Sequence, residues 1–282
     1  MNKVFIVGEI GINSNGDIDL AKKIIKAAKD SGADAVKFQK RDIPSCYTRE
    51  ELDKIRQSPW GRTNEEQKLG LEFGKKEYDE IDRYCKEIGI EWFASSWDLK
   101  SVEFLKQYNL KYNKIASARL GHKELLKAVA EQKKYTFIST GMSTLGEVEE
   151  VVNIFKAENC PIELMHCNSQ YPMPLEDSNL TCMKTLRTYF KGQYKIGFSD
   201  HCGGILPSII AVALGATSIE KHITWERTLY GSDQAASVEP HGFAKMIEYI
   251  RNIPDLMGDG KKVISEAEAI IRSKLWKTED IK

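Results

Sequence analysis

Neither sign of charge is in excess in this chain: 41 lysines and arginines stand against 41 aspartates and glutamates over 282 residues. That balance argues against a general nucleic-acid or membrane-surface binder, which carries a basic surplus. No apolar run approaches the roughly 18 residues that a membrane span needs. The cysteines, Cys46, Cys85, Cys160, Cys167, Cys182 and Cys202, form no CxxC pair. Met1 leads straight into a strand-like segment, without the basic-then-apolar pattern of a secretion signal. A reduced cytoplasmic protein with free thiols is therefore expected. A dinucleotide fingerprint is missing as well, because GEIGINSNG after the first apolar run has the wrong glycine spacing for GxGxxG.

What is present is a rhythm. Short runs rich in β-branched residues predict strands at 4–10, 35–39, 91–95, 112–116, 136–139, 163–167, 195–199 and 218–221. Amphipathic stretches near 17–31, 77–87, 100–107, 122–132, 144–157, 178–190, 204–214 and 241–256 predict a helix after each. Such alternation implies a parallel sheet with right-handed crossovers, and eight repeats close an α/β (β/α)8 TIM barrel, read here as one domain over 1–265. The doubly wound sheet is the alternative that the missing fingerprint disfavours. Segment 41–76 breaks the rhythm with Pro44, Pro59, Trp60 and Gly61 and reads as a long βα2 loop, a lid or substrate wall on the catalytic face. A polar helical tail is expected over 266–282.

Barrel chemistry sits at the C-terminal ends of the strands, and polar residues gather there. Glu9 ends the first strand, Lys37 and Gln39 lie in the second, and Ser95 ends the third. Lys114 and Ser117 mark the fourth and Ser139 and Thr140 the fifth. His166, Ser169 and Tyr171 follow on the sixth, Ser199, Asp200 and His201 on the seventh, and Glu220, Lys221 and His222 on the eighth. Charges in apolar strands are costly unless paired or bound. Pairing within the barrel, such as Glu220 with Lys221 or Lys37, is the bland explanation. Recurrence at strand after strand favours a binding site. Lys37 and Lys114, with hydroxyls at Ser95, Ser117 and Ser199, form a donor set suited to a phosphate and a carboxylate. His201 and His222 close adjacent strands, where both imidazoles can reach one divalent cation. His166 reads as structural, His122 and His241 as surface residues at helix starts.

The stretches GEIGINSNGDIDLAKKIIKAAKDSGADAVKFQ, KIAS, STGMSTLGEVEEVV, HCNSQYPMPLEDSNL, GFSDHCGG, ALGATSIEKHIT and GSDQAASVEP carry a resemblance to the sialic acid (N-acetylneuraminate) synthase family, running from residue 4 to about 275. That resemblance implies a metal-dependent transferase, using Mn2+ or Mg2+, that condenses phosphoenolpyruvate with an N-acetylmannosamine-like sugar aldehyde and releases phosphate. Carried to matching positions, it implies a phosphoenolpyruvate site of Lys37, Ser95, Lys114, Ser117, Ser169 and Ser199. The metal site would be His201 and His222, with Glu9, Gln39, Tyr171 and Asp233 facing the sugar. A homodimer is implied too. The sequence departs from the family's pattern at Ser14, at Ser95–Ser96 and at Arg119, a base where an acid is usual and a possible acceptor contact. The 282 residues hold no antifreeze-like domain, so a separate protein of that kind is one expected partner. Two other functions fit less well: a synthase for a different, phosphorylated aldehyde, and a non-catalytic scaffold.

Overall fold

In the computed structural model, which describes residues 3–276, the predicted rhythm becomes a closed barrel. β1 (Phe5–Glu9), α1 (Ile18–Asp30) and β2 (Ala35–Lys40) form the first repeat and a half. A crossover follows: α2 (Ile43–Cys46), α3 (Arg49–Asp53), the hairpin β3 (Ile55–Ser58) and β4 (Gly61–Thr63), α4 (Asn64–Leu71) and α5 (Lys75–Ile88). The regular alternation then resumes through β5 (Glu91–Ser96), α6 (Leu99–Leu105), β6 (Tyr112–Ile115), α7 (Lys123–Ala130), β7 (Tyr135–Ser139) and α8 (Leu145–Ala157). It closes with β8 (Ile162–Cys167), α9 (Cys182–Tyr189), β9 (Lys195–Asp200), α10 (Leu206–Ala213), β10 (Ser218–His222) and α11 (Pro240–Met257). Around the barrel the strands run β1, β10, β9, β8, β7, β6, β5, β2 and back to β1, every pair parallel.

Local chemistry explains the boundaries. The Asp17 carboxylate accepts from the amides of Asp19 and Leu20 and starts α1, whose inner stripe is Ala21, Ile24, Ile25 and Ala28. Each isoleucine so buried contributes roughly 1.5–3 kcal/mol. α8 begins with a reciprocal capping box between Thr144 and Glu147.

The segment 41–76 is not one irregular loop. It folds into its own small helices and hairpin and packs against the barrel mouth. The edge of Trp60 meets the ring of Tyr230 at 5.6 Å. Gly16, with φ +68°, lies so close to Gly70 that any side chain there would strike the Gly70 carbonyl, and a side chain on Gly70 would strike Trp60. The tail helix α12 (Glu266–Leu275) buries none of its residues; the remaining tail, 277–282, lies outside the described residues.

Candidate active site

Successive side chains on a strand face opposite ways, so each barrel strand sends alternate residues inward. Near the N-terminal ends these are aromatic: Phe5, Phe93, Tyr112 and Phe137 pack with ring centroids 5.2 to 5.8 Å apart. This layer plugs the barrel floor. Above it the inward positions turn polar. Register sets Gln39, Ser95 and Lys114 abreast on one side and Cys167, Ser199 and Glu220 abreast on the other. Between them is a cavity of about 230 Å³.

Four buried charges organise its floor. The Lys37 ammonium lies 2.7 Å from Glu9 and 3.9 Å from Glu220, and it donates to Ser95 Oγ at 3.0 Å. The Lys114 ammonium donates to both Glu220 oxygens at 2.8 and 2.9 Å and to Ser139 Oγ at 2.7 Å. Ser199 Oγ donates to Glu220 at 3.1 Å. Burial would raise the Glu220 pKa, but Lys114 and Lys37 overcome it and hold the carboxyl down at about 2. Glu9 has only Lys37 close by; burial prevails there, against Lys37, and lifts its pKa to about 7. Burial lowers the Lys114 pKa, whereas at Lys37 the two carboxylates outweigh burial and raise it. Glu9 is thus the floor carboxyl that takes a proton most readily. Gln39 steadies it, donating to Oε1 at 2.7 Å.

The hydroxyls on the far wall are open to a ligand. Ser169 Oγ is buried without a partner. Ser117 Oγ accepts from the Gly141 amide at 3.0 Å and lies beside the Cys167 thiol. A side chain at Gly141 would come within 2.5 Å of Ser169 Oγ and 2.8 Å of Ser117 Oγ, so glycine is what leaves both hydroxyls their room.

His201 and His222 stand at the rim with ring centroids 5.4 Å apart. Burial, with His201 and Lys37 adding to it, holds the His222 pKa far below the ordinary value, so the ring stays neutral, and its Nδ1 is buried without a hydrogen bond. His201 Nε2 meets the hydroxyl of the half-exposed Tyr171 at 2.7 Å, while Nδ1 faces the Asn168 carbonyl and Cys167 Sγ. Burial would lower its pKa, but the Cys167 contact carries it upward. Among the described residues no three His, Cys, Asp or Glu side chains converge as a ligand set. The chain therefore offers two imidazoles, one with an orphaned nitrogen and one capped by the Tyr171 hydroxyl. That donor pair fits a divalent ion that completes its shell from substrate and water.

Of the residues expected at the site, Glu9, Lys37, Gln39, Ser95, Lys114, Ser117, Ser169, Tyr171, Ser199, His201 and His222 line this cavity. Two expected residues do not line it. Asp233 lines a neighbouring cavity, its Oδ2 3.8 Å from His222 Nδ1. Arg119 lies across Trp97, stacked 4.8 Å from that ring and 3.1 Å from His122 Nε2, in a different cavity. Its position on a short 3-10 turn after β6 left it free to follow the Trp97 face.

Of the two ion pairs considered for Glu220, the one with Lys37 is present at 3.9 Å and the one with Lys221 is not. Neighbours on a strand face opposite ways, and Lys221 points outward to Asp200 at 3.4 Å. Glu220, noted at its strand end without a role in binding, lines the cavity, as do Cys167 and Trp97, which were not expected there. Strand alternation was the signal for the first two, since Glu220 shares its face with His222. His166 is structural: its Nε2 meets the Ser178 carbonyl at 2.8 Å and its ring stacks on Phe198. His122 and His241 are exposed.

Comparison with known proteins adds to this geometry. A model described as the NeuB family matches residues 24–262. The N,N'-diacetyllegionaminic acid synthase of Campylobacter jejuni is 38% identical over 296 residues, spanning 100% of this chain and 87% of that protein. The N-acetylneuraminate-9-phosphate synthase of Homo sapiens is 37% identical, spanning 97% of this chain and 77% of that protein. Among solved structures, the N-acetylneuraminic acid (sialic acid) synthetase of Leptospira borgpetersenii is similar with a TM-score of 0.84 and 35% identity, covering 97% of this chain and 93% of that one.

Proposed function

The chain belongs to the NeuB family, the synthases of the sialic acid type that join phosphoenolpyruvate to a sugar, and from that membership we propose that it condenses phosphoenolpyruvate with an N-acetylmannosamine-like aldehyde. One observation carries this reading: two buried lysines, Lys37 and Lys114, line one cavity with the Ser117 and Ser169 hydroxyls and with two imidazoles whose rings lie 5.4 Å apart.

In this reading Lys37 and Lys114 hold the phosphate and carboxylate of phosphoenolpyruvate, and Ser95, Ser117, Ser169 and Ser199 complete the anion's hydrogen bonds. Glu9 and Glu220 keep the lysines extended and charged before the ligand arrives. His201 and His222 hold a divalent cation, Mn2+ or Mg2+, which when bound supplies Lewis acidity at the aldehyde oxygen. The electron pair of the phosphoenolpyruvate double bond forms the new bond from C3 to the aldehyde carbon, and the carbonyl π pair moves onto the aldehyde oxygen, which takes up a proton and becomes a hydroxyl. Water then adds at the electron-poor C2 and loses a proton; phosphate leaves by C–O cleavage as the C2 hydroxyl gives up its own proton and becomes the keto group. Glu9, poised near neutrality by burial, is placed to hold or pass the proton that the water gives up, with Gln39 fixing its oxygen. Tyr171 covers the imidazoles and limits solvent entry. Asp233, just beyond His222, faces the sugar hydroxyls from the rim.

The test is phosphate release from phosphoenolpyruvate across a panel of sugar aldehydes with added Mn2+. Turnover with an N-acetylated hexosamine, and none without an aldehyde, is the expected result. Silence across the panel would overturn the reading, and so would turnover that ignores the aldehyde.

A further inference from the structure

The 41–76 segment builds a second cavity, of about 160 Å³, against the loops that follow β1 and β10. The two cavities share no lining residue, but two side-chain contacts link them. Arg41 donates to Gln39, which lines the central cavity, and Asp233 reaches toward His222 from the other side. Arg41, Arg56 and Lys68 line this second cavity against one carboxylate, Asp233, an excess of two positive charges. Arg41 has a carboxylate nearby, Glu72 at 3.8 Å. Among the described residues neither Arg56 nor Lys68 forms a salt bridge. Lys68 is half buried with its ammonium 4.0 Å from the Tyr47 ring, and burial together with Arg41 and Arg56 lowers its pKa. Cations drawn partly out of water beside one another are unfavourable until an anion joins them.

The central cavity has its own lysines for phosphoenolpyruvate, so this cluster answers to another anion. Asp233 stands between the imidazole rim and this cluster: it lies 3.8 Å from His222 Nδ1 and lines the same cavity as Arg41 and Lys68. We propose that the second cavity binds a phosphate ester at the end of the acceptor sugar remote from its aldehyde. This inference rests on the reaction proposed above and assigns the 41–76 segment the selection of a phosphorylated acceptor. A phosphate monoester carries about −1.5 to −2 charges at pH 7 and three free oxygens, which matches an excess of two cations better than a single carboxylate does.

The experiment compares N-acetylmannosamine with its 6-phosphate on the full chain and on Lys68→Ala, Arg56→Ala and Lys68→Arg. Phosphate release and calorimetric binding of each sugar are both measured. The parent is expected to favour the 6-phosphate in kcat/KM. Lys68→Ala and Arg56→Ala should each cut that preference ratio about 10- to 100-fold, the size of one hydrogen bond to a charged group, and Lys68→Arg should restore most of it. A ratio that no variant moves overturns the proposal. If no sugar is turned over, the binding arm still decides. Loss of 6-phosphate binding in Lys68→Ala upholds the subsite while the reaction reading falls, and unchanged binding sinks the subsite. Inorganic phosphate that binds as tightly as the sugar phosphate, and loses affinity equally in Lys68→Ala, would assign the cavity to free phosphate and overturn the acceptor proposal.

Discussion

Replacing Lys114 by methionine keeps the length of the stem and deletes one of the four floor charges. The ammonium it removes is buried and bonded to both oxygens of Glu220 and to Ser139. Stranding a buried charge in this way costs about 3–5 kcal/mol. Glu220 would still have Lys37 at 3.9 Å and the Ser199 hydroxyl at 3.1 Å, which sets the cost near the lower end, about 3 kcal/mol. For a chain of this size roughly 2–4 °C accompanies each kcal/mol, so the melting temperature should fall by about 6–12 °C. Circular dichroism on heating measures that. Phosphoenolpyruvate binding, followed by calorimetry, should weaken by about 2–5 kcal/mol, because one desolvated charge-assisted contact is lost. The double variant Lys114→Met/Glu220→Gln separates the two effects. It removes the stranded carboxylate, so most of the melting temperature should return while the affinity stays low. A Lys114→Met protein that melts with the parent and binds phosphoenolpyruvate as tightly would refute the reasoning, since neither the pair nor the anion site would then depend on this lysine.

Chelation should abolish turnover, and His201→Ala or His222→Ala should remove most of it; full activity of His222→Ala in the presence of chelator would end the two-imidazole reading. Glu9 gives a pH signature with a definite sign. Its carboxyl is held at about 7 in the folded chain against an ordinary 4.5, so the folded state binds the proton more tightly, and this favourable contribution is lost as pH rises from 4.5 to 7. The stability of Glu9→Gln relative to the parent should therefore increase across that window in chemical denaturation, and parallel pH profiles would contradict the assignment. Glu220, held at about 2, has the opposite sign and gives up stability as pH falls below 4.5.

All eight barrel strands were legible because their signal is local: β-branched apolar runs of four to seven residues, each followed by a stretch of helical period. Lys37, Lys114, His201 and His222 stood out because charge and imidazole inside apolar strands need an explanation. Charge pattern alone left both Lys221 and Lys37 open as partners of Glu220, since the pairing depends on which face each residue takes. Alternation counted from His222 puts Glu220 inside and Lys221 outside. The structure within 41–76 was hidden for a different reason. β3 is mostly exposed and β4 spans only Gly61–Thr63, too short for a period-two pattern to register. The cation-lined cavity was beyond reach as well. Arg41 and Lys68 are 27 positions apart, and the fold of the segment, with α4 packed onto the β1 loop, sets both on one cavity.

That packing bears on how barrels of this kind exchange parts. The 41–76 segment looks like a transplantable cassette, bounded by β2 at one end and α5 at the other. The Gly16–Gly70 contact makes it something else, because half of the docking surface lies outside the segment, on the loop after β1. A chimera that receives residues 41–76 but keeps a side chain at its own position 16 would hold the graft away from the rim and part Arg41 and Lys68 from Ile12 and Asp233 across the second cavity. Any recombination boundary that preserves this cavity therefore has to fall before Gly16, so that the graft and the loop it rests on are inherited as one piece.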